Sequence, residues 1–124
     1  MRRALIVDDA RAVRRIIAGI LRKLEYEVLE AENGRAALDL LAGLDFVPEL
    51  ALLDWNMPEM DGLEALKHIR AEPRWASMVI LMVTTETELE RICQALEAGA
   101  NEYIMKPFTP EILIERIAMA GAVV

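Results

Sequence analysis

The stretch that decides the fold reads LALLDWNMPEMDG and runs from Leu50 to Gly62. Four apolar residues lead directly into the carboxylate of Asp54, and a proline and a glycine then end the run. A wholly apolar run of this length is typical of a strand buried on both faces, as in a parallel sheet covered by helices. Asp54 is therefore predicted at the carboxyl end of that strand, at the edge where open α/β sheets bind ligands.

Strand and helix patterns alternate five times along the chain. Each predicted strand is a short apolar run, and each predicted helix shows apolar residues at three- and four-residue spacing. Such alternation predicts a parallel sheet with helices on both faces and right-handed crossovers. We expect a doubly wound α/β fold with five strands in the order 2-1-3-4-5. The predicted strands are Leu5 to Val7, Tyr26 to Ala31, Leu50 to Asp54, Met78 to Val83 and Glu102 to Met105.

The apolar faces of the helices are predicted to pack on this sheet. Thr109 is expected to cap the last helix, with Pro110 at its first position, and Asn33-Gly34 is expected to form a turn or cap before the second helix. The predicted face of the first helix consists of Val13, Ile16, Ile17, Ile20, Leu21 and Leu24, and that of the fourth of Leu89, Ile92, Cys93 and Leu96. Cys93 is interpreted as an inert packed side chain.

Composition limits the number of domains and the kinds of partner. A chain of 124 residues, 55% of them hydrophobic, fits one globular domain over residues 1–124. The 14 basic and 21 acidic residues give a net charge of −7. This charge repels phosphate backbones and argues against a nucleic-acid surface, so a protein or metal partner is expected.

The expected location of the protein in the cell follows from its cysteine content and from its first strand. Cys93 is the single cysteine, which excludes an internal disulfide and a thiolate metal cluster and fits a reducing cytoplasm. The apolar run that ends at Val7 is followed by Asp8 and Asp9, so it is too short for a signal peptide or a membrane span. We expect a cytoplasmic protein without membrane insertion.

Acidic residues follow the first and third predicted strands. The order 2-1-3-4-5 has its switch point between these strands, so Asp8, Asp9 and Asp54 are predicted to converge on one crevice. Three neighbouring carboxylates repel one another, and a hard divalent cation removes the conflict. Mg²⁺ prefers oxygen ligands and keeps several waters, so carboxylates, a backbone carbonyl near Asn56 and water would satisfy it.

An accessible carboxylate beside Mg²⁺ is what a phosphoaspartate site requires. Asp54 is the best-placed nucleophile. The hydroxyl of Thr84, after the fourth strand, and the ammonium of Lys106, after the fifth, are predicted at the same edge as donors to phosphoryl oxygens. A lysine within about 4 Å of a phosphate oxygen gains roughly 4 kcal/mol at an effective dielectric near 20, before desolvation is subtracted.

These motifs together resemble the receiver domains of two-component response regulators, over the whole chain. They are Asp8-Asp9, Asp54 with Met57-Pro58 and Asp61-Gly62 after it, Thr84, and Lys106-Pro107-Phe108. Within that family, the run Asp54 to Pro58 is most similar to the single-domain chemotaxis regulators. The resemblance implies a flavodoxin-like (CheY-like) fold in which Asp54 accepts a phosphoryl group from a histidine kinase or a phosphotransfer protein.

The resemblance also implies a metal site and a set of residues that tune the lifetime of the phosphate. Mg²⁺ would be bound by Asp9, Asp54 and the carbonyl of Asn56, with Asp8 contributing through water. The tuning positions are Asn56, Thr85 and Glu86, and Thr85 departs from the alanine common at its place.

The switch is the third implication of the resemblance. Thr84 and Tyr103 form the switch pair, and Lys106 contacts the phosphate, with a cis bond before Pro107. Phosphate adds about −1.5 to −2 charges, so Thr84 would move inward and Tyr103 would fill the space it leaves. The surface of the fourth helix, fifth strand and fifth helix would then change its downstream protein target, as a population shift between two packings.

The domain would be no enzyme beyond catalysing its own phosphorylation and dephosphorylation. It would be a monomer or a phosphorylation-dependent dimer.

Three alternatives to this interpretation stay open. A Mg²⁺-dependent phosphohydrolase of the haloacid-dehalogenase type also uses an aspartyl nucleophile, but that class wants a second acid where this chain has Asn56. The other two alternatives are an interaction domain that is never phosphorylated and a receiver cut from a longer regulator.

The first helix is rich in basic residues, in contrast to the acidic molecule. They are either a solvated helix face or a docking surface for the kinase or phosphotransfer partner. The residues concerned are Arg11, Arg14, Arg15, Arg22 and Lys23.

Overall fold

The structure is a computed structural model that describes residues 1–85 and 89–124. Five parallel strands form one sheet in the order β2-β1-β3-β4-β5, which confirms the predicted topology. The strands are β1 (Arg2–Val7), β2 (Tyr26–Ala31), β3 (Leu50–Asp54), β4 (Val79–Thr84) and β5 (Glu102–Met105). The helices are α1 (Arg11–Lys23), α2 (Gly34–Gly43), α3 (Gly62–Ala71), α4 (Leu89–Glu97) and α5 (Pro110–Ala120), and a 3-10 turn spans Pro73–Trp75.

The sheet lies between two hydrophobic layers. On one face, α2 and α3 pack with Leu41 and Leu66 against the sheet. On the other face, α1 and α5 pack with Leu21 and Leu113. Successive residues of β3 point to opposite layers and all five are buried, which explains why this strand is an unbroken apolar run.

Short polar side chains set the first turns of three helices. Asn33 accepts a hydrogen bond from the backbone N–H of Ala36 at 2.8 Å, and Asp61 caps α3 in the same way. Thr109 caps α5 ahead of Pro110, as the sequence predicts. Such a cap contributes about 1 kcal/mol. The caps fix where α2, α3 and α5 begin, directly after the loops at the carboxyl edge of the sheet.

The predicted helix faces are wrong at four positions. Ile16 is 63% exposed because α1 meets the sheet through Ile17, about 100° further round the helix. On α4, the buried residue is Ala95, whereas Leu89 is 74% exposed, Leu96 is 41% exposed and Cys93 is also exposed. Because α4 packs at the margin of the sheet through a small residue, only a narrow part of its circumference is covered. Cys93 is therefore not a packed side chain.

The first strand begins earlier than predicted, at Arg2 rather than Leu5. Both arginines at its start pair in register with residues of β2, and the guanidinium of Arg3 lies 3.9 Å from the ring centre of Phe46. Long basic side chains can cover apolar surface while the charge stays near solvent, so a strand can begin with residues that carry no apolar signal.

Of the helices that the structure describes, none combines the length and the apolar character that a membrane-crossing segment requires.

The start of α3 is packed closely against the acidic strand end. A Cβ atom on Gly62 would lie 2.2 Å from the carbonyl oxygen of Asp54, and the N–H of Gly62 donates to the carbonyl of Trp55 at 2.8 Å. Only glycine allows this approach of the two backbones.

We therefore expect Gly62→Ala to lower the free energy of unfolding by about 2 kcal/mol or more, since α3 or the backbone of Asp54 must shift. The matched control is Gly19→Ala within α1, where the added Cβ would meet no atom within 4 Å other than those of its chain neighbours and the backbone of its own helix. That change should stabilise the domain by roughly 0.5–1 kcal/mol. Urea unfolding followed by circular dichroism measures both. Equal effects of the two changes would contradict the close-approach argument.

Candidate functional site

Three carboxylates lie together at the carboxyl ends of β1 and β3. These strands are neighbours with Val7 opposite Leu53, so the residues that follow, Asp8 and Asp54, emerge side by side. Asp8 and Asp54 are buried, and Asp9 is exposed. One oxygen from each of the three carboxylates lies within 4.8 Å of the others. The structure thus brings together the acids that the sequence places in one crevice.

Lys106 reaches this acidic cluster from the end of β5. Its Nζ donates to Oδ2 of Asp8 at 2.9 Å and to Oδ1 of Asp54 at 3.2 Å. Its backbone N–H donates to the carbonyl of Thr84 at 2.8 Å, which fixes the loop beside β4. The peptide bond between Lys106 and Pro107 is cis. A single ammonium therefore bridges acids from two different strands.

The electrostatics of the cluster oppose ionisation of its central acid. Burial and the negative charge of Asp8 raise the pKa of Asp54, with a smaller contribution from Asp9, and the charge and hydrogen bond of Lys106 only partly offset them. Burial disfavours the ammonium of Lys106, but its hydrogen bond with Asp8 and the charges of both buried acids outweigh burial and raise its pKa. Lys106 therefore keeps its positive charge, whereas the ionised form of Asp54 is disfavoured.

Thr84 and Tyr103 lie on neighbouring strands beside the cluster. Thr84 ends β4 and is buried, one residue beyond Val83, which is the register partner of Asp54. Tyr103 is half-buried and stands opposite Met82. Residues two apart on a strand share a face, so Thr84 and Tyr103 are on the same side of the sheet. The guanidinium of Arg116 lies 5.1 Å from the ring centre of Tyr103.

The three tuning positions differ in what the structure describes. Asn56 and Thr85 are both exposed, on the loops that follow β3 and β4. Glu86 lies outside the described residues.

Asp9, the exposed acid of the cluster, borders a surface cavity. A surface cavity of about 430 Å³ is lined by Asp9, Glu32, Asn33, Pro58 and Glu59. Glu59 has φ of +67°, an uncommon conformation for a residue other than glycine. The cavity places Asp9, unlike the two buried acids, in direct reach of solvent.

Trp55 directly follows Asp54 and is buried in the layer that contains α2 and α3. The guanidinium of Arg91, on α4, lies 5.8 Å from its ring centre. Trp55 therefore connects the strand that ends at Asp54 with α4, the helix that carries exposed apolar residues. His68, on α3, is exposed.

Arg14 is the site residue that sequence reasoning did not assign. Its guanidinium donates to the backbone carbonyl of Asp8 at 2.6 Å and to Oε1 of Glu30 at 3.0 Å, and its side chain is only 14% exposed. The signal available in the sequence is its place one turn into α1, because helical side chains point back toward the helix N-terminus. Arg14 is therefore not part of a free basic face.

Residues 4–118 match the family described as the response regulator receiver domain. This chain belongs to that family. Receiver domains are signalling domains rather than conventional enzymes, and they bind Mg²⁺ at an acidic pocket. In this chain, three carboxylates that could form such a pocket lie together, those of Asp8, Asp9 and Asp54. The match disfavours the phosphohydrolase alternative.

Relatives of this receiver domain carry chemotaxis names. It is 50% identical over 114 residues to the chemotaxis protein CheY homolog of Campylobacter jejuni, covering 91% of this chain and 87% of that protein. It is 47% identical over 115 residues to chemotaxis protein CheY1 of Helicobacter pylori, covering 91% of each.

Solved structures show the same fold. Vibrio cholerae chemotaxis protein CheY4 superposes with a TM-score of 0.88 at 34% identity, covering 97% of this chain and 98% of that one. A CheY-like receiver domain protein from Methanospirillum hungatei gives 0.85 at 36% identity, covering 95% and 91%.

The raised pKa of Asp54 predicts that its charge destabilises the domain at neutral pH when no divalent cation is present. An acid whose pKa is higher in the folded than in the unfolded state loses stability as the pH rises through that pKa. Asp54→Asn should therefore unfold at a higher temperature than the parent chain at pH 7 in EDTA. The difference should shrink as the pH falls toward 4 and when Mg²⁺ is added.

Asp45→Asn is the control for this measurement, because Asp45 is exposed and lies on the loop before β3. Scanning calorimetry at several pH values gives the comparison. A parent chain that is more stable than Asp54→Asn in EDTA at pH 7 would contradict the predicted sign.

Proposed function

We propose that this chain is a phosphorylation-activated receiver in which Asp54 accepts a phosphoryl group from a histidine kinase or phosphotransfer protein, in a Mg²⁺-dependent reaction. The observation that carries the proposal is the bridge from the ammonium of Lys106 to Asp8 and Asp54. A lysine at this position can donate to an oxygen of a phosphoryl group attached to Asp54 instead of to the carboxylate oxygen itself.

The donor set fits Mg²⁺. Three carboxylates against one ammonium leave two negative charges uncompensated, the charge that a divalent cation carries. Asp9, Asp54 and the carbonyl of Asn56 would hold the ion, with Asp8 contributing through water. When bound, the ion neutralises charge between the acid and an incoming phosphoryl group. All of these donors are oxygens, as Mg²⁺ prefers.

The chain's own residues account for the transfer. A carboxylate oxygen of Asp54 attacks phosphorus, the bond from phosphorus to the donor's nitrogen or oxygen breaks, and an acyl phosphate forms. Lys106 and the hydroxyl of Thr84 donate to the phosphoryl oxygens. Attack by water on the acyl phosphate returns the carboxylate, so the domain catalyses only its own phosphorylation and dephosphorylation. Asn56, Thr85 and Glu86 tune how fast that water attacks.

The switch is proposed to run through Thr84 and Tyr103 on their shared side of the sheet. Donation from Thr84 to the phosphoryl group draws its side chain toward Asp54, and Tyr103 moves into the space. The surface formed by α4, β5 and α5 then favours another protein target, as a population shift. The exposed fractions of Leu96, Met105 and Ile112, 41%, 42% and 43%, support a protein-binding role for that surface.

The cellular setting is proposed from the relatives and the charge. Relatives named as chemotaxis proteins at 50% and 47% identity favour a chemotaxis pathway. Residues 1–124 would act as one receiver domain, as a monomer or as a phosphorylation-dependent dimer. The net charge of −7 favours protein partners over nucleic acid. A cytoplasmic location is proposed as well, because the phosphodonor would itself be phosphorylated by ATP.

Incubation with acetyl phosphate and Mg²⁺, followed by intact mass, tests the proposal. We expect one labile phosphoryl adduct on the parent chain and none on Asp54→Asn or in the presence of EDTA. Asp61→Asn serves as the matched control, since Asp61 caps α3 and should keep the adduct. An adduct that persists in Asp54→Asn would overturn the assignment, and steady turnover of phosphate esters would favour a hydrolase.

The exposed basic residues of α1 are proposed to dock the phosphodonor protein. Arg11 and Arg15 are exposed, whereas Arg14 is tied to Asp8 and Glu30. Exchanging Arg11 and Arg15 together for glutamate should slow phosphotransfer from the cognate kinase about tenfold, because charge steers association. The rate with acetyl phosphate should be unchanged.

A double exchange of Arg35 and Arg74 for glutamate is the control for the docking test, since both are exposed basic residues outside α1. Rapid-quench phosphotransfer assays measure the rates. The proposed docking surface would be contradicted if the Arg11 and Arg15 exchange slowed phosphotransfer equally from both phosphodonors, or if the control exchange slowed it equally.

A further inference from the structure

Asp8 is held at each of its polar groups. Its N–H donates to the carbonyl of Ala31 at 3.2 Å. Its Oδ1 accepts from the N–H of Ala10 at 2.8 Å, and its Oδ2 accepts from Lys106 at 2.9 Å. The carbonyl of Asp8 accepts from Arg14 at 2.6 Å. Of these four contacts, the one from Arg14 is unusual because a side chain on a helix fixes a backbone carbonyl inside the acidic loop.

The guanidinium of Arg14 is itself held in place. It donates to Glu30 on β2 at 3.0 Å while it donates to Asp8 at the end of β1, so it spans α1 and two strands. Its planar fork can serve both acceptors at once, which an ammonium does less well. Charge-assisted hydrogen bonds of this kind are about twice as strong as neutral ones.

The carbonyl that Arg14 contacts belongs to the peptide unit that joins Asp8 to Asp9. Because a peptide unit is planar, a donor fixed on its oxygen also fixes the direction in which the chain enters Asp9. Asp9 is exposed, so packing does little to orient it. The position of the one solvent-facing acid of the cluster therefore depends on a contact made by its neighbour's backbone.

We propose that Arg14 is a positioning residue for the divalent cation, acting by orienting the peptide between Asp8 and Asp9; this inference rests on the proposed function. Charge alone predicts the opposite effect, because a guanidinium near the cluster repels a cation. Removing Arg14 therefore weakens cation binding if positioning dominates and strengthens it if charge dominates.

Calorimetric titration with Mg²⁺ separates these explanations. Arg14→Gln removes the fork and the charge, and it should weaken Mg²⁺ binding by about tenfold, the lower range for groups that orient metal ligands. Arg15→Gln is the matched control: it removes the same charge from the next position of α1, where the side chain is exposed. It should stay within about twofold of the parent chain, because exposed charges are screened.

A second titration, with Ca²⁺, gives a measurement that a merely structural role would not move. Mg²⁺ demands near-octahedral geometry, whereas Ca²⁺ accepts flexible geometry. Loss of orientation at Asp9 should therefore reduce the affinity for Mg²⁺ more than that for Ca²⁺, and the ratio of the two affinities should fall in Arg14→Gln alone. A change of charge or of global stability would shift both ions alike.

Each outcome has one meaning. Unchanged or tighter Mg²⁺ binding by Arg14→Gln, an equal loss in Arg15→Gln, or a constant Mg²⁺ to Ca²⁺ ratio would overturn the inference. Should circular dichroism show that Arg14→Gln is unfolded, Arg14→Lys, which keeps the charge without the fork, takes its place with the same expected fall in the ratio. A parent chain that binds no Mg²⁺ would contradict the proposed function instead.

Discussion

Repulsion among the carboxylates at the carboxyl edge of the sheet, two of them buried, is the constraint on which the rest of the structure depends. Asp8 and Asp54 are buried next to each other, and Lys106 compensates only part of their charge. The fold tolerates this because the apolar layers on both faces of β3 supply its stability. The charge that the proposed function requires at Asp54 thus lowers stability, a trade-off common at active sites.

The topology was predictable because a sheet buried on both faces leaves a visible mark in the sequence. The run before Asp54, and the others like it, gave the strands, and their alternation with helices indicated a parallel sheet. The order 2-1-3-4-5 is one of the common orders for such a sheet, so it was an expectation and not a consequence of the alternation. The convergence of Asp8, Asp9 and Asp54 then follows from the switch point alone. Helix caps at Asn33 and Thr109 were also predictable, because capping depends on local residue type.

What could not be predicted depends on how elements dock. Apolar spacing places Ile16 and Leu89 on helix faces, but which sector of a helix meets the sheet is decided by the sheet's margin and by small residues such as Ala95. The contact of Arg14 was harder to predict for another reason. Its place one turn into α1 indicates that the side chain can reach back toward Asp8, but its acceptor is a backbone carbonyl, and no residue type marks a carbonyl as available.

The position of Trp55 has an optical consequence. Its indole ring follows the proposed acceptor by one residue and lies beneath the guanidinium of Arg91, so the electric field at the ring depends on the charge at Asp54. The emission wavelength of the ring should shift with that field, which makes the domain a label-free sensor of its own chemical state. Trp75 lies before β4, at the opposite edge of the sheet, so its emission should form a constant background.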